Sequence, residues 1–240
     1  MDAGDVDHGY LAHPSGPASG SHPGVVVIHD VWGLSDHTRD LARRFAAEGF
    51  AALAVDLYRR LPALSIEDPG RWIRDLSDPD ALEEIQAAID FLAAHPAVSG
   101  HRTGVVGFCM GGMYALLAAA SCRGLSASVV FYGLLSHAHG MLHADGGLDP
   151  ARKPREPVAA AAEIRCPLLG FFGEDDAFVP LADVDRLRAA LSGASHAADI
   201  IVYPGAGHAF MNDTRPAAFR PELAQRAWSR TLDFLRRELR

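Results

Sequence analysis

The chain has 240 residues, of which 49% are hydrophobic and 22% are charged. That length and balance are typical of one globular domain and exclude intrinsic disorder. The net charge of −8 argues against a nucleic-acid partner, since proteins that bind the phosphate backbone present a basic surface.

Short apolar segments alternate with helical patterns along most of the chain. This alternation predicts an α/β fold, with a mostly parallel sheet and helices on both faces. Residues 1–23 lack such periodicity, so we predict a loose N-terminal lead-in, or a weak edge strand, before a single domain over residues 24–240. The predicted strands are Val25 to His29, Ala51 to Asp56, Thr103 to Phe108, Ser128 to Phe131, Leu168 to Phe172 and Asp199 to Tyr203. The predicted helices are Thr38 to Glu48, Asp80 to Ala94, Gly112 to Ala120, Leu181 to Leu191 and Pro221 to Leu239.

Two segments depart from this alternation. Val105 to Cys122 is an uncharged stretch of 18 residues, which is the length of a membrane span. Gly107, Gly111 and Gly112 interrupt it, so we predict a strand, a tight turn and a buried helix, with no membrane association. Residues 133–160 form a long connection, which is either a solvated excursion or a segment that lines a functional site.

Cysteine usage indicates a reducing compartment. The chain has three cysteines, an odd number that does not form a disulfide framework, and its start shows no apolar signal-peptide core. We therefore expect a cytoplasmic protein. Cys122 and Cys166 lie in a predicted helix and before a predicted strand, where packing explains them.

The stretch GFCMGG at residues 107–112 connects a predicted strand to a predicted helix. It has the form of a nucleophile elbow, the G-x-S-x-G turn that exposes a nucleophile at a helix N-terminus, with cysteine in the place of serine. The field of the helix N-terminus favours a thiolate, which is the form that attacks. Cys109 is thus a candidate nucleophile, and the alternative is a buried cysteine beside glycines that serve packing.

Two later segments supply an acid and a base, in the chain order nucleophile, acid, base that α/β-hydrolases show. The segment GEDDAFVP follows a predicted strand, and its candidates for the acid, which spacing alone does not separate, are Glu174, Asp175 and Asp176. The segment GAGHAF follows the last predicted strand and offers His208 as the base. The histidine would accept the proton of Cys109, and the acid would orient the imidazole ring.

These motifs resemble those of the dienelactone hydrolase family, within the α/β-hydrolase superfamily, from about Val25 to the C-terminus. The matching pieces are VVIHDVWG at residues 26–33, GFCMGG, DAFVP and GAGHAF. The resemblance implies an α/β-hydrolase fold and a Cys-His-Asp triad, in which Cys109 is the nucleophile, Asp176 the acid and His208 the base.

The resemblance also implies accessory groups near the nucleophile. The backbone N–H groups of Val31 and Met110 would form the oxyanion hole, which stabilises the charge of the tetrahedral intermediate. Asp30 occupies the place of a glutamate that regulates the thiol in the family, and its side chain is one methylene shorter. Trp32, beside the first oxyanion donor, and Phe210, after the histidine, are candidate residues of the substrate pocket.

Recognition of a substrate carboxylate is the point at which the sequence departs from the family. The dienelactone-cleaving members carry an arginine shortly after the histidine, whereas residues 209–212 here read AFMN. Arg71, Arg74 and Arg215 are the candidates that could take its place, although exposed arginines usually only solvate a surface. An anionic substrate and a broader lactone or ester preference therefore both stay open.

The remaining candidates fit structural roles better. His137, His139 and His143, with Asp145, resemble a metal cluster but lack the spacing of a ligand set, so we expect no metal. Lys153 is the single lysine of the chain and lies in RKPREP, which we interpret as an exposed loop. The sequence therefore predicts neither a phosphate-binding loop nor a Schiff-base site.

Together these features predict a cofactor-independent hydrolase that cleaves a lactone or a small carboxylic ester. Its partner would be a small-molecule substrate, with neither nucleic acid nor membrane involved. The alternative is a non-catalytic protein of the same fold, in which Cys109 senses the redox state or contacts a ligand. The sequence leaves the oligomeric state open.

Overall fold

One mixed sheet forms the centre of the computed structural model, which describes residues 1–15, 22–61, 65–98 and 102–240. Its strands are β1 (Asp2–Val6), β2 (Gly9–His13), β3 (Gly24–Ile28), β4 (Ala51–Val55), β5 (Thr103–Phe108), β6 (Leu125–Phe131), β7 (Leu168–Gly173) and β8 (Ala198–Tyr203). They lie in the order β1-β2-β4-β3-β5-β6-β7-β8. Strands β3 to β8 are parallel, whereas β2 pairs antiparallel with both β1 and β4.

Helices cover both faces of this sheet. They are α1 (Asp36–Ala47), α2 (Pro69–Asp75), α3 (Asp78–Ala94), α4 (Met110–Ser121), α5 (Pro157–Ala160), α6 (Leu181–Leu191) and α7 (Pro221–Glu238). One buried cluster packs α1 and α7 against one face, and another packs α3, α4 and α6 against the opposite face. Strands β3, β4, β5 and β7 are buried along their whole length, as expected for parallel strands covered on both sides.

The predicted fold class is confirmed, and each predicted strand and helix forms with its ends shifted by three residues at most. The short helices α2 and α5 were not predicted, because a stretch of four to seven residues shows too little periodicity. No helix within the described ranges is both long enough and apolar enough to cross a bilayer.

Of the two alternatives for residues 1–23, the loose lead-in is wrong for most of the described part and the edge strand is confirmed by β1. Strands β1 and β2 form a hairpin, and β2 joins the sheet by pairing with β4. The sequence pattern gave little sign of β1, because this outer strand is exposed and lacks an apolar face. At Gly9, φ is +146° and a Cβ would overlap the Ala54 carbonyl oxygen, so only glycine fits there. Residues 16–21 lie outside the described residues.

The expectation that Lys153 is exposed is also wrong. Its ammonium group is fully buried, 2.5 Å from a carboxylate oxygen of Asp78 and 3.4 Å from the Tyr114 hydroxyl. Tyr114 donates a second hydrogen bond to the same carboxylate at 2.8 Å. The charge of the lysine is compensated by groups distant in sequence, which is why the local pattern RKPREP indicated a solvent-exposed loop.

Candidate active site

Three loops meet at the carboxyl edge of the sheet, where parallel α/β sheets place their ligand sites. Cys109 follows β5, Asp176 follows β7 and His208 follows β8. Because these strands run parallel, their C-terminal loops lie on one side of the molecule. The structure thereby brings together three side chains that are 32 to 99 residues apart in the sequence.

Cys109 lies on a strained turn between β5 and α4. Its φ of 56° and ψ of −117° are unusual for a residue other than glycine. The turn is tight enough that a Cβ on Gly107 would overlap the carbonyl oxygen of Gly111. The Cys109 N–H donates to the Phe131 carbonyl at 3.0 Å, and this bond ties the turn to β6. The geometry of a nucleophile elbow is therefore present at this cysteine.

His208 and Asp176 form a short, buried hydrogen bond. The Nδ1–H of His208 donates to Oδ2 of Asp176 at 2.7 Å, and the aspartate side chain is fully buried. The other carboxylate oxygen accepts the N–H groups of Phe178 at 2.9 Å and Val179 at 3.2 Å. These bonds fix the carboxylate, which in turn fixes the tautomer and the orientation of the imidazole.

The second ring nitrogen of His208, Nε2, is buried and has no nitrogen or oxygen partner within the described part of the chain. Burial lowers the pKa of His208, but the negative charge of Cys109 and the hydrogen bonds with Asp176 and Cys109 outweigh this effect and raise the pKa to about 10. An imidazolium is thus stabilised beside the sulfur. Burial raises the pKa of Cys122 to about 11 and that of Cys166 to about 12, so these two thiols stay protonated.

Neither alternative acid has comparable geometry. Glu174 and Asp175 are exposed, and Glu174 accepts a hydrogen bond from the Gly205 N–H at 3.2 Å. Asp176 is the carboxylate that lies against His208.

Cys109 and His208 line a cavity of about 160 Å³. Its walls are formed by His29, Asp30, Val31, Trp32, His37, Thr38, Leu41, Pro69, Phe108, Tyr132, Met141, Phe178, Ala209, Asn212 and Arg215. The aromatic side chains of Trp32 and Phe178 are 43% and 36% exposed, so they lie at the solvent side of the cavity. A larger groove of about 750 Å³ between β8 and α7 contains neither a cysteine nor a histidine.

Two backbone N–H groups are available beside Cys109. In the described residues, neither the Val31 N–H nor the Met110 N–H donates a hydrogen bond. Met110 is the first residue of α4, where N–H groups have no partner within the helix. Asp30 lines the same cavity, but its carboxylate accepts the Trp32 N–H at 2.9 Å and forms no hydrogen bond with Cys109. The carboxylate therefore stabilises its own loop.

Comparison with known proteins identifies the family. Residues 8–239 match the family described as the dienelactone hydrolase family. The chain belongs to the dienelactone hydrolase family. It is therefore a hydrolase of the α/β type, and the match covers nearly all of the sheet.

The names of individual relatives and of a solved structure agree with this family assignment. A "Putative carboxymethylenebutenolidase" of Methylorubrum extorquens is 33% identical and matches over 95% of this chain and 75% of its own length. A "Probable 2-oxo-3-(5-oxofuran-2-ylidene)propanoate lactonase" of Bradyrhizobium is 34% identical, with coverages of 95% and 88%. The crystal structure of a "Putative Dienelactone Hydrolase" from Klebsiella pneumoniae aligns with a TM-score of 0.83 at 33% identity, over 94% of this chain and 91% of that one.

One of the two predicted pocket residues does not line the cavity. Trp32 lines the cavity as expected, but Phe210 is fully buried and packs against Tyr132 and Tyr203. The backbone at Ala209 has a φ of +62°, and after this turn the phenyl ring of Phe210 lies in the core.

Several cavity residues were missed by the sequence analysis. Tyr132 packs edge-on against the His208 ring at a centroid distance of 5.1 Å, and Phe178 packs against it at 5.0 Å. Met141 comes from the connection over residues 133–160, so that connection lines the site in part. Phe178 belongs to the motif DAFVP, which the sequence analysis used only for Asp176, and no motif marks Tyr132 or Met141, because only the fold brings their loops beside the histidine.

The candidate arginines differ in position. Arg71 pairs with Asp75 at 3.4 Å and Arg74 donates to the Met141 carbonyl at 2.8 Å, and neither lines the cavity. Arg215 does line it and lies over the Trp32 ring at 5.5 Å.

The three histidines that resemble a metal cluster in the sequence contact different groups in the structure. His139 lies 3.3 Å from Asp183 and His143 lies 3.2 Å from Asp145, while His137 contacts neither carboxylate. Among the residues that the structure describes, no group of three or more metal-ligating side chains converges.

Proposed function

We propose that this enzyme cleaves a lactone or a small carboxylic ester through Cys109, His208 and Asp176. The observation that carries the proposal is the arrangement of His208. Its Nδ1 is anchored on a buried carboxylate, and its ring lines the same cavity as Cys109, whose charge and hydrogen bond raise the pKa of the histidine. This is the relation between nucleophile, base and orienting acid that acyl transfer needs.

In the first half-reaction, Nε2 of His208 takes the proton of the Cys109 thiol. The thiolate attacks the acyl carbon, so that a C–S bond forms and the carbonyl oxygen becomes an oxyanion. The N–H groups of Val31 and Met110 stabilise this charge, and one such donor is typically worth about 3 to 4 kcal/mol in the transition state. The C–O bond then breaks, and the leaving oxygen takes the proton from Nε2.

In the second half-reaction, a water molecule replaces the leaving group. Nε2 of His208 takes a proton from the water, and the hydroxide attacks the thioester carbon. The C–S bond breaks, the thiolate leaves, and the product is a carboxylic acid. When the substrate is a lactone, the leaving hydroxyl stays attached to the acyl chain, and the ring-opened hydroxy acid is released as one molecule.

The position of Arg215 supports a substrate that carries a carboxylate. Its guanidinium lies over Trp32 at the cavity and forms no ion pair with a described residue. A cation without a partner at the entrance favours an anionic substrate over a neutral one. The Bradyrhizobium relative is named for a lactone that bears a propanoate group, which agrees with this substrate class.

The test is hydrolysis of p-nitrophenyl acetate and of a dienelactone by Cys109→Ala. We expect kcat to fall by about 10⁴- to 10⁶-fold, because the nucleophile is lost while the fold is intact. The matched control is Cys122→Ala, which removes a buried thiol elsewhere and should retain full activity. Unchanged hydrolysis in Cys109→Ala would refute the proposal. A wild-type protein that oxidises reversibly at Cys109 but hydrolyses neither ester would favour the redox alternative.

A further inference from the structure

His29 lies directly after β3 and is only 1% exposed. Both of its ring nitrogens are engaged by backbone groups. The Leu57 N–H donates to Nε2 at 3.1 Å, so Nε2 is the acceptor and the proton of the neutral ring is on Nδ1. Burial lowers the pKa of His29, so the ring stays neutral near pH 7. This tautomer leaves one N–H, which donates to the carbonyl oxygen of Asp30 at 2.6 Å. The same oxygen also accepts the Gly33 N–H at a longer distance of 3.2 Å, so His29 supplies the shorter of its two hydrogen bonds.

The carbonyl of Asp30 and the N–H of Val31 belong to the same peptide unit. A trans peptide is planar, and its C=O and N–H point in opposite directions. Fixing the carbonyl toward His29 therefore turns the N–H of Val31 away from the histidine. Val31 lines the cavity with Cys109, and its N–H has no acceptor among the described residues.

We infer that His29 is a positioning residue, which orients the Asp30–Val31 peptide so that the Val31 N–H stabilises the oxyanion. The inference rests on the proposed function, since it assigns a role within that reaction. The hydrogen bond also acts electronically. A carbonyl that accepts a hydrogen bond polarises its own peptide, and the N–H at the other end becomes a stronger donor.

The next peptide unit, between Val31 and Trp32, is also held by a hydrogen bond. The Tyr58 hydroxyl donates to the Val31 carbonyl at 3.0 Å, and the Tyr58 ring packs edge-on against His29 at 4.8 Å. Burial raises the pKa of Tyr58, so the hydroxyl stays protonated and remains a donor. Tyr58 and Leu57 both follow β4, so the loop after this strand supports the oxyanion loop through two hydrogen bonds.

Two substitutions separate the two bonds of His29. The amide nitrogen of asparagine reaches the position of Nδ1, so His29→Asn can keep the donor to Asp30 and lose the bond from Leu57. The longer glutamine reaches the position of Nε2, so His29→Gln can keep the acceptor for Leu57 and lose the donor. Each variant loses one backbone bond, so their losses of stability should be similar.

We expect His29→Gln to lower kcat for p-nitrophenyl acetate by about 10- to 100-fold with KM nearly unchanged, because removal of a whole oxyanion donor costs about 10² to 10³. His29→Asn should stay within about threefold of the wild-type kcat, a far smaller loss than removal of a donor causes. Alkylation of Cys109 by iodoacetamide develops no oxyanion, so its rate should be unchanged in both variants. His95→Gln is the matched control, since His95 accepts a backbone N–H from Ala97 beyond the other end of the sheet.

Equal losses of kcat in the two His29 variants, or a loss confined to KM, would overturn the role of His29 but not the proposed function. Hydrolysis that survives in Cys109→Ala would overturn the proposed function instead. Should His29→Gln fail to fold, ¹⁵N NMR of the histidine-labelled wild type decides the matter. The inference requires the Nδ1–H tautomer at His29, and the Nε2–H tautomer would overturn it.

Discussion

Helix α4 carries two buried polar clusters, which are built in different ways. At its N-terminus, Cys109 lies beside His208 and Asp176 at a cavity. Further along, Tyr114 contacts Asp78 and Lys153 with no cavity between them. The lysine, the carboxylate and the hydroxyl satisfy one another, whereas the neighbour of the His208 ring is the thiol of Cys109, which can exchange a proton with it.

The difference shows how a reactive site is distinguished from a structural one. A buried polar atom without a hydrogen-bond partner costs about 1 to 3 kcal/mol. The Lys153 cluster avoids that cost and holds the connection over residues 133–160 against α3 and α4. The cluster at Cys109 instead places Nε2 of His208 beside a thiol, and this nitrogen is the atom that would exchange protons in the reaction.

The largest expected effect is a loss of kcat, and it follows from a change at Asp176. Asp176→Asn keeps the oxygen that accepts the Phe178 and Val179 N–H groups but presents an amide N–H to Nδ1 of His208. The ring must then carry its proton on Nε2, which can no longer accept one. We expect kcat to fall by about 10⁴-fold with little change in stability. Steady-state kinetics and thermal unfolding check this, and a stable variant with nearly full activity would contradict it.

Lys153→Met should show the opposite pattern. Removing the ammonium leaves Asp78 buried without a counter-ion, and we expect the free energy of unfolding to drop by about 3 to 5 kcal/mol. The kcat of the folded variant should stay within about twofold, since Lys153 itself does not line the cavity. Chemical denaturation and ester hydrolysis measure the two quantities. A large loss of kcat without a loss of stability would contradict the comparison.

A smaller effect concerns the charge on His208. The pKa of this histidine is raised to about 10 against the opposing effect of burial, and the charge of Cys109 is the largest contribution that raises it. Cys109→Ser replaces a side chain that can carry a negative charge by a hydroxyl that stays neutral, so the pKa of His208 should fall. NMR titration of the histidine ring signals in both proteins checks the direction. An unchanged or higher pKa in Cys109→Ser would mean that thiolate and imidazolium do not interact.

The smallest expected effect is on substrate selection by Arg215. The residue is exposed, so its attraction for a carboxylate is partly screened and is worth about 1 kcal/mol. Arg215→Met should therefore raise KM for a carboxylate-bearing lactone by about fivefold and leave KM for its methyl ester unchanged. Arg71→Met, at an arginine outside the cavity, is the control. Equal effects on acid and ester would refute the role in charge recognition.

Much of the candidate site could be predicted, because its chemistry lies in short motifs at strand ends. GFCMGG, DAFVP and GAGHAF place Cys109, Asp176 and His208 after parallel strands, which share one edge of the sheet. The choice of Asp176 over its two neighbours came only from the family resemblance. In the structure, the hydrogen bond to His208 favours the same residue.

The rest depends on contacts that no local pattern records. Lys153 is buried beside partners that lie 75 and 39 residues away in the sequence, so the residues around it do not indicate its burial. Phe210 lies in the core because a positive φ at Ala209 precedes it. The cavity walls at Met141 and Arg215 come from loops whose course only the packed fold determines.

The most direct test of the account is mass spectrometry of the enzyme quenched in acid during turnover of p-nitrophenyl acetate. A thioester survives acid, so we expect a single acetyl group on the peptide that contains Cys109, formed within the first turnover and lost when substrate is exhausted. His208→Ala should accumulate the adduct far more slowly. Ester hydrolysis that proceeds with no acyl group on Cys109, or with the group on another residue, would contradict the account.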